Sequence, residues 1–146
     1  MKIKVKEVKE MFMALQSLDG YEQIVKVNGE DRLIRSAYDF NGKVRYNLAK
    51  NIKLLRSHIE TFDDVQNALV KELAPETNEI SREKDPVAYG SYINKLNEAL
   101  EAEEDIEGLH KIKFEDLNLD KKDKNDKPVN PIPGTTIAAL LHIIED

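Results

Sequence analysis

Cysteine and tryptophan are both missing from this chain of 146 residues. Because the chain has no thiols, it cannot form disulfide bonds, thiolate zinc sites or iron–sulfur clusters, and it has no cysteine nucleophile. The composition fits a reducing cytosol.

Long apolar runs are missing as well. The longest, Ile137 to Ile144, is interrupted by His142 and is far shorter than the roughly 20 residues of a membrane-spanning helix. Residues 2–6 alternate lysine with apolar side chains, where a secretory signal needs an apolar stretch. We therefore expect no signal peptide and no membrane association.

Positive charge is in deficit, with 22 lysine and arginine residues against 28 aspartate and glutamate residues and a net charge of −6. This acidity argues against nucleic-acid binding, and the lysines at positions 2, 4, 6 and 9 form only a modest basic patch. Charged residues make up 34% of the chain, above the usual ~25%, which is typical of helices with strongly solvated faces. The length predicts a single domain, residues 1–146, since domains typically run to about 100–200 residues.

Two segments with a period of two residues predict a small antiparallel sheet. The first strand covers residues 2–6, and the second covers residues 106–115, where Ile112 and Phe114 share a face. Because lysines alternate with apolar residues in both segments, we expect these strands to pair with each other.

A short helix and a hairpin are expected after the first strand. Apolar residues recur at helical spacing from Val8 to Leu18. Beyond them, Asn28-Gly29 lies between two apolar segments and supplies the positive φ angles of a tight turn. This pattern favours a hairpin over residues 22–36.

The strongest pattern is a helical stripe that follows Asn41-Gly42. Nine apolar residues recur at spacings of three and four, which keeps one face apolar over about 30 residues and roughly 45 Å. They are Val44, Leu48, Ile52, Leu55, Ile59, Phe62, Val65, Leu69 and Leu73. Pro75 ends this long helix. Thr61 and the two aspartates after it leave open a split into two helices.

A second helix is expected from Asp85-Pro86, an acidic N-cap with proline at the first helical position, to about Glu104. The two helices form a helical hairpin as the core of the fold. A short C-terminal docking helix follows from Thr135 or Thr136 to Ile144. Residues 75–85 and 118–131 are expected to be flexible loops. The predicted fold class is therefore α+β and mainly helical.

The long helix also predicts a homodimer. A helix of ~45 Å is too long for a 146-residue domain with a radius of gyration near ~15 Å to cover. An apolar stripe left uncovered favours a second copy. A monomer would instead indicate a break near Thr61.

Acidic side chains without an intervening base follow each other near the end of the second helix. They are Glu98, Glu101, Glu103, Glu104, Asp105 and Glu107. Paired carboxylates perform acid–base chemistry in apolar pockets, whereas these crowd a polar helix end. Two interpretations stay open: a solvated face, or a docking patch for a basic protein partner.

A second candidate site lies at the start of the long helix, where Arg45, Tyr46, Lys50 and Asn51 are candidates to bind a small ligand such as a nucleotide signal. Asparagine is unfavourable inside a helix, so Asn51 and the nearby Asn47 indicate either a specific hydrogen-bonding role or a solvent-facing position.

Motifs of known enzyme classes are missing. The three histidines lie on separate predicted elements, and no phosphate-binding glycine loop, nucleophile elbow or kinase signature occurs. We predict a non-enzymatic protein with no metal and no cofactor.

Five segments carry a resemblance to a known family. They are the Met-Lys-Ile-Lys-Val opening with the helix after it, Tyr46 to Asn51, Ile52 to Phe62, Leu96 to Leu100 running into Ile106 to Leu117, and Leu140 to Glu145. Together the chain resembles a family of small uncharacterised proteins encoded by bacteriophages and prophages. It departs from the shorter members near residues 20–40 and at the lysine–aspartate loop 118–130. The family has no assigned activity, so no site residues follow from the resemblance.

What the resemblance implies is a virus-encoded protein that acts in the cytoplasm of the bacterial host. Combined with the residue patterns, it leads to a phage accessory protein that binds another protein, either a morphogenesis component or a host factor such as a defence protein. A small-ligand binder that sequesters a nucleotide signal is the alternative, and a structural virion subunit is a third option.

Overall fold

A computed structural model describes all 146 residues of the chain. The α-helices are α1 (Val5–Ser17), α2 (Gly42–Leu73), α3 (Pro86–Glu101) and α4 (Gly134–Ala139). The strands are β1 (Lys2–Lys4), β2 (Tyr21–Val27), β3 (Glu30–Ser36), β4 (Glu103–Asp105), β5 (Ile112–Lys113) and β6 (Ile144–Glu145). The predicted α+β, mainly helical fold class is confirmed. None of the helices combines the length and the apolarity needed to cross a bilayer.

β1 is shorter than the predicted strand over residues 2–6 because α1 begins at Val5. The Glu7 carboxylate accepts a hydrogen bond from the Lys4 backbone N–H at 3.1 Å. A glutamate at the third helical position that reaches back to the residue before the helix is half of a capping box. It stabilises a helix that starts directly after Lys4.

β1 pairs with β4 and not with the segment 106–115, so the predicted pairing is wrong. The antiparallel register places Lys2 opposite Asp105, Ile3 opposite Glu104 and Lys4 opposite Glu103. Both lysines therefore face carboxylates, and opposite charges in cross-strand pairs stabilise a sheet. We expected residues up to Glu104 to extend the second helix, but α3 ends at Glu101.

β5 lies in the second predicted strand segment and pairs in parallel with β6. The predicted C-terminal helix is therefore too long, since α4 ends at Ala139. Leu140 and Ile143 are buried in the turn after it, and the Ile112 N–H donates to the Ile143 carbonyl at 2.7 Å. The pairing of β6 with β5 therefore takes the place of the last turn of the predicted helix.

The predicted hairpin is confirmed as β2 and β3, which pair in antiparallel fashion over their full length. Asn28 and Gly29 have φ angles of 54° and 81°. Both central residues of a type I′ turn need positive φ, which glycine adopts without strain. The local sequence thus specifies both the turn and the register.

α2 is one continuous helix of 32 residues, so the alternative of two helices split near Thr61 does not occur. The Thr61 hydroxyl donates to the Ser57 carbonyl at 3.0 Å, within the same helix. A threonine that bonds back one turn is compatible with a continuous helix. α3 starts as predicted, because the Asp85 carboxylate accepts from the Ala88 N–H at 3.0 Å and Pro86 follows the cap.

The chain divides into two compact units, each built from two separate segments. The first contains residues 1–9 and 55–107, and the second contains residues 10–54 and 108–146. The single domain over residues 1–146 stays a prediction.

In the first unit, the buried apolar residues come from β1, α1, α2 and the segment after β4. They are Ile3, Val8, Leu55, Phe62, Leu69 and Ile106. α3 forms the second arm of the predicted helical hairpin, held to α2 by a Lys95–Glu72 ion pair at 2.7 Å and a hydrogen bond from Gln66 to the Tyr92 hydroxyl at 2.9 Å. No residue of α3 is buried. The expectation that both helices of the hairpin form the core is therefore wrong for α3.

In the second unit, α1, the first half of α2 and the C-terminal segment supply most of the core. The buried apolar residues are Met11, Phe12, Ala14, Leu15, Leu18, Tyr38, Phe40, Val44, Leu48, Ile112, Leu117, Leu140 and Ile143. Two polar residues, Asn51 and Asn130, are buried among them. A buried amide is stable only when its hydrogen bonds are satisfied, and both are.

The two predicted loops, residues 75–85 and 118–131, contain no helix and no strand. Near the end of the second loop, the Asn130 amide donates to the carbonyls of Leu117 and Asp39 at 2.7 and 3.0 Å, and its oxygen accepts from the Asp39 N–H at 2.6 Å. These bonds hold the end of the loop. The flexibility of both segments stays a prediction.

Candidate functional site

The acidic residues of the predicted docking patch lie at the end of α3, along β4 and just after it. Glu101 is the centre of an ion-pair cluster: its two carboxylate oxygens accept from Lys6 and Lys4 at 2.6 and 2.7 Å. These hydrogen bonds lower the pKa of Glu101 to about 2. The same contact raises the pKa of Lys4. Both effects favour the charged pair.

Three more of the six acidic residues from Glu98 to Glu107, which we call the acidic run, have partners within the first unit. The Met1 α-amino group contacts Asp105 and Glu107, both at 3.1 Å, which raises the pKa of the amino group and lowers that of Asp105. Glu104 lies 3.5 Å from His58. Of the six acids, Glu98 and Glu103 form no side-chain ion pair or hydrogen bond. Glu101 thus joins the acidic run to two of the N-terminal lysines, which are separate from it in the sequence.

The four residues of the predicted ligand site do not surround a common cavity. Arg45 donates to the Tyr38 carbonyl, with its guanidinium 5.9 Å from the centroid of the Phe40 ring. Tyr46 and Lys50 are exposed, and the Lys50 ammonium lies 5.5 Å from the centroid of the Tyr46 ring. Asn51, by contrast, is completely buried. A small ligand held by all four side chains does not fit this arrangement.

Asn51 has a specific hydrogen-bonding role, one of the two roles that its helical position indicated. Its amide donates to the His110 carbonyl at 2.9 Å, and its oxygen accepts from the His110 N–H at 2.7 Å. Asn47, one turn earlier, donates to the Lys111 carbonyl at 3.3 Å. The side chain of Asn51 therefore bonds to the His110 backbone as a neighbouring strand would, and it holds the chain after Gly108 against α2.

A surface that the sequence interpretation did not single out lies on one side of the β2–β3 hairpin. Six exposed side chains share this side as directly opposed pairs: Glu22 with Arg35, Ile24 with Leu33, and Lys26 with Asp31. We call this surface the hairpin face. Ile24 and Leu33 at its centre are 70% and 64% exposed. The sequence does contain a signal for this surface, because the residues two positions before and after Ile24 and Leu33 are all charged.

The root of the hairpin is fixed within the second unit. The rings of Tyr21 and Tyr38 are 4.8 Å apart, and Arg35 forms an ion pair with Asp19. Burial raises the pKa of the Tyr38 hydroxyl. The hairpin is thus held at its base, while Ile24 and Leu33 point into solvent.

Cavities lie elsewhere in the two units. An open groove of about 560 Å³ between α1 and α4 is lined by Glu10, Met13 and small side chains. A cavity of about 340 Å³ lies among residues 73–88. A smaller one of about 140 Å³ has His58 and Glu104 in its wall. No group of three or more acidic or histidine side chains is placed to hold a metal ion.

Comparisons with protein-family models, curated proteins and solved structures give no match to this chain.

Proposed function

We propose that the protein is a bacteriophage accessory protein that acts without catalysis, by binding another protein in the cytoplasm of the bacterial host. The hairpin face is the observation that supports this proposal. It exposes two large apolar side chains, Ile24 and Leu33, to solvent. Association with a partner would bury their apolar surface, which is favourable.

The charges around Ile24 and Leu33 favour a protein over other partners. Glu22, Lys26, Asp31 and Arg35 stand at the four corners of the hairpin face, and their signs alternate around it. The net charge of the face is therefore zero, which favours neither a polyanion nor an anionic lipid surface. An apolar centre with a polar rim of mixed charge is the usual anatomy of a protein–protein interface.

The size of the hairpin face sets the expected strength of binding. Strands of seven residues at about 3.3 Å per residue, two strands wide, present roughly 230 Å². Stable interfaces cover about 800 Å² on each partner. Binding through the hairpin face alone is therefore weak and reversible.

The acidic run is a competing surface, of which Glu98 and Glu103 are available without breaking an internal ion pair. A photo-crosslinking amino acid at position 24 or 33, in cells that make the protein, identifies the partner of the hairpin face. The same amino acid at position 98 or 103 reports on the acidic run, and at the 82% exposed Val87 it serves as the control.

Affinities for the purified partner then separate the two surfaces. We expect Ile24→Thr with Leu33→Thr, which keeps strand-forming side chains, to weaken binding about tenfold or more. Glu98→Lys with Glu103→Lys, and Val87→Thr with Leu141→Thr as matched exposed apolar changes, should leave it within about twofold. Crosslinks only from positions 98 and 103, or equal losses in the control, would contradict the assignment. A crosslink between two copies would identify the predicted homodimer.

A further inference from the structure

The first half of α2 has an unusual charge distribution for an acidic protein. Between Gly42 and Leu54 it carries four bases and no acid, whereas the whole chain has a net charge of −6. The bases are Lys43, Arg45, Lys50 and Lys53, and all are exposed. None of them takes part in any of the ion pairs of the chain. This part of α2 therefore carries a local positive charge that no ion pair neutralises.

An exposed aromatic ring lies among these bases. Tyr46 is 60% exposed. Lys43 precedes it by three residues, and Lys50 and Lys53 follow it by four and seven, which places all four side chains on one side of α2. We call this surface the basic face. From Lys43 to Lys53 it extends about 15 Å along the helix axis. The Lys50 ammonium, 5.5 Å from the centroid of the Tyr46 ring, makes an interaction that leaves much of the ring in solvent.

We infer that the basic face binds single-stranded nucleic acid, with one base stacked on Tyr46 and backbone phosphates at the three lysines. Unpaired cations attract a polyanion and release its counterions on binding. An exposed aromatic ring between them offers the stacking platform that single-strand binders use, and every base has a face that fits it.

The shape of the basic face distinguishes this ligand from a free nucleotide and from a duplex. The side chains lie on an open helix surface. Asn51, the fourth residue of the predicted ligand site, is buried, and its donor and acceptor are both bonded to the backbone of His110. Small ligands need a cavity that encloses most of their surface. A duplex keeps its bases stacked on each other and offers none to Tyr46. An extended single strand uses both the charges and the ring.

The net acidity of the chain does not oppose this inference, because the acids lie elsewhere in the sequence. Glu115, Asp116 and Glu145 share a cavity with Lys43 without forming an ion pair with it. We therefore expect Tyr46, Lys50 and Lys53 to contribute more than Lys43.

Fluorescence anisotropy with the full chain and a labelled oligothymidylate of about 15 nucleotides tests the inference. If three lysines contact phosphates, the affinity should fall about 20-fold between about 50 mM and about 200 mM salt. Lys43→Gln, Lys50→Gln and Lys53→Gln together should weaken binding at least tenfold and abolish most of the salt dependence. Tyr46→Ala should weaken it about tenfold with the salt dependence kept, whereas Tyr46→Phe should bind like the wild type.

The matched control neutralises three other exposed lysines that form no ion pair, Lys71, Lys84 and Lys124, and should retain wild-type affinity within about twofold. Circular dichroism verifies that all variants are folded. Failure of the wild type to bind at low salt would overturn the inference, as would an equal loss in the control. A duplex of the same length that binds as tightly, or polyglutamate that competes as well as the oligonucleotide, would also overturn it. None of these results depends on the hairpin face.

Discussion

Replacing Asn51 by aspartate removes one hydrogen-bond donor from the most buried polar side chain and adds an ionisable group. In the wild type, the amide donates to the His110 carbonyl and its oxygen accepts from the His110 N–H. An ionised carboxylate keeps the second bond but places its other oxygen against the carbonyl oxygen. A protonated carboxyl group, in contrast, has the donor and the acceptor that both bonds require.

The expected cost depends on pH. Near neutral pH, Asn51→Asp loses one hydrogen bond and buries a charge, which lowers the free energy of unfolding by about 2–4 kcal/mol. Burial and the facing carbonyl raise the pKa of the new carboxyl group in the folded state, at about 1.4 kcal/mol for each pKa unit. The folded variant therefore binds a proton more readily than the unfolded chain. Its stability, relative to the wild type, should rise as the pH falls towards about 4.

Urea unfolding followed by far-UV circular dichroism, at several pH values between about 4 and 8, measures this difference. Asn51→Leu is the non-titrating control and should cost about 2–3 kcal/mol at every pH. Asn47→Asp, at a longer and more exposed hydrogen bond, should cost less than about 1 kcal/mol. If the difference between Asn51→Asp and the wild type does not shrink on acidification, or if Asn47→Asp costs as much, the assigned role of Asn51 is refuted.

Other parts of the chain lead to further expectations. Because the ion pairs lower the pKa of Glu101, the wild type should lose stability as the pH falls from about 4.5 to about 2. In urea unfolding at several pH values, Glu101→Gln should show less of this loss. An equal dependence of stability on pH in the variant and the wild type would contradict this expectation. Asn130→Ala should lower the free energy of unfolding by about 2–4 kcal/mol, and it should speed proteolytic cleavage within residues 118–131. An unchanged cleavage rate would mean that other contacts hold the loop. Gly29→Ala, at a φ of 81°, should cost about 1–2 kcal/mol in urea unfolding, and a neutral effect would show that the turn adapts.

The elements that could be predicted from the sequence are those with a complete signal within a few residues. Asn28-Gly29 contains the whole requirement of the type I′ turn, and Asp85-Pro86 contains both the cap and the first helical residue. The apolar stripe of α2 is also local, since each spacing of three or four is read within one turn. These features were placed correctly because no distant partner decides them.

The partners of β1 and β5 could not be predicted because they depend on residues far along the chain. β1 and the segment 106–115 share a pattern of alternating lysine and apolar residues, but a shared pattern does not specify a strand partner. The structure pairs unlike sequences instead, with lysines opposite acids. The acidic run was considered alone for the same reason, so its partners at the N-terminus were missed. Likewise, the helical position of Asn51 indicated a hydrogen bond but gave no sign that His110 accepts it.

The ladder between β1 and β4 has a consequence for the chain as it is synthesised. Lys2 and its neighbours leave the ribosome about 100 residues before Asp105, which at roughly 5–20 residues per second is a delay of about 5–20 s. During this time Ile3 belongs to a strand with no partner, and such a strand is prone to pair with other chains. The lysines on either side of it act as gatekeepers against aggregation. The same lysines that later stand opposite the acids of β4 thus keep the nascent strand available for pairing.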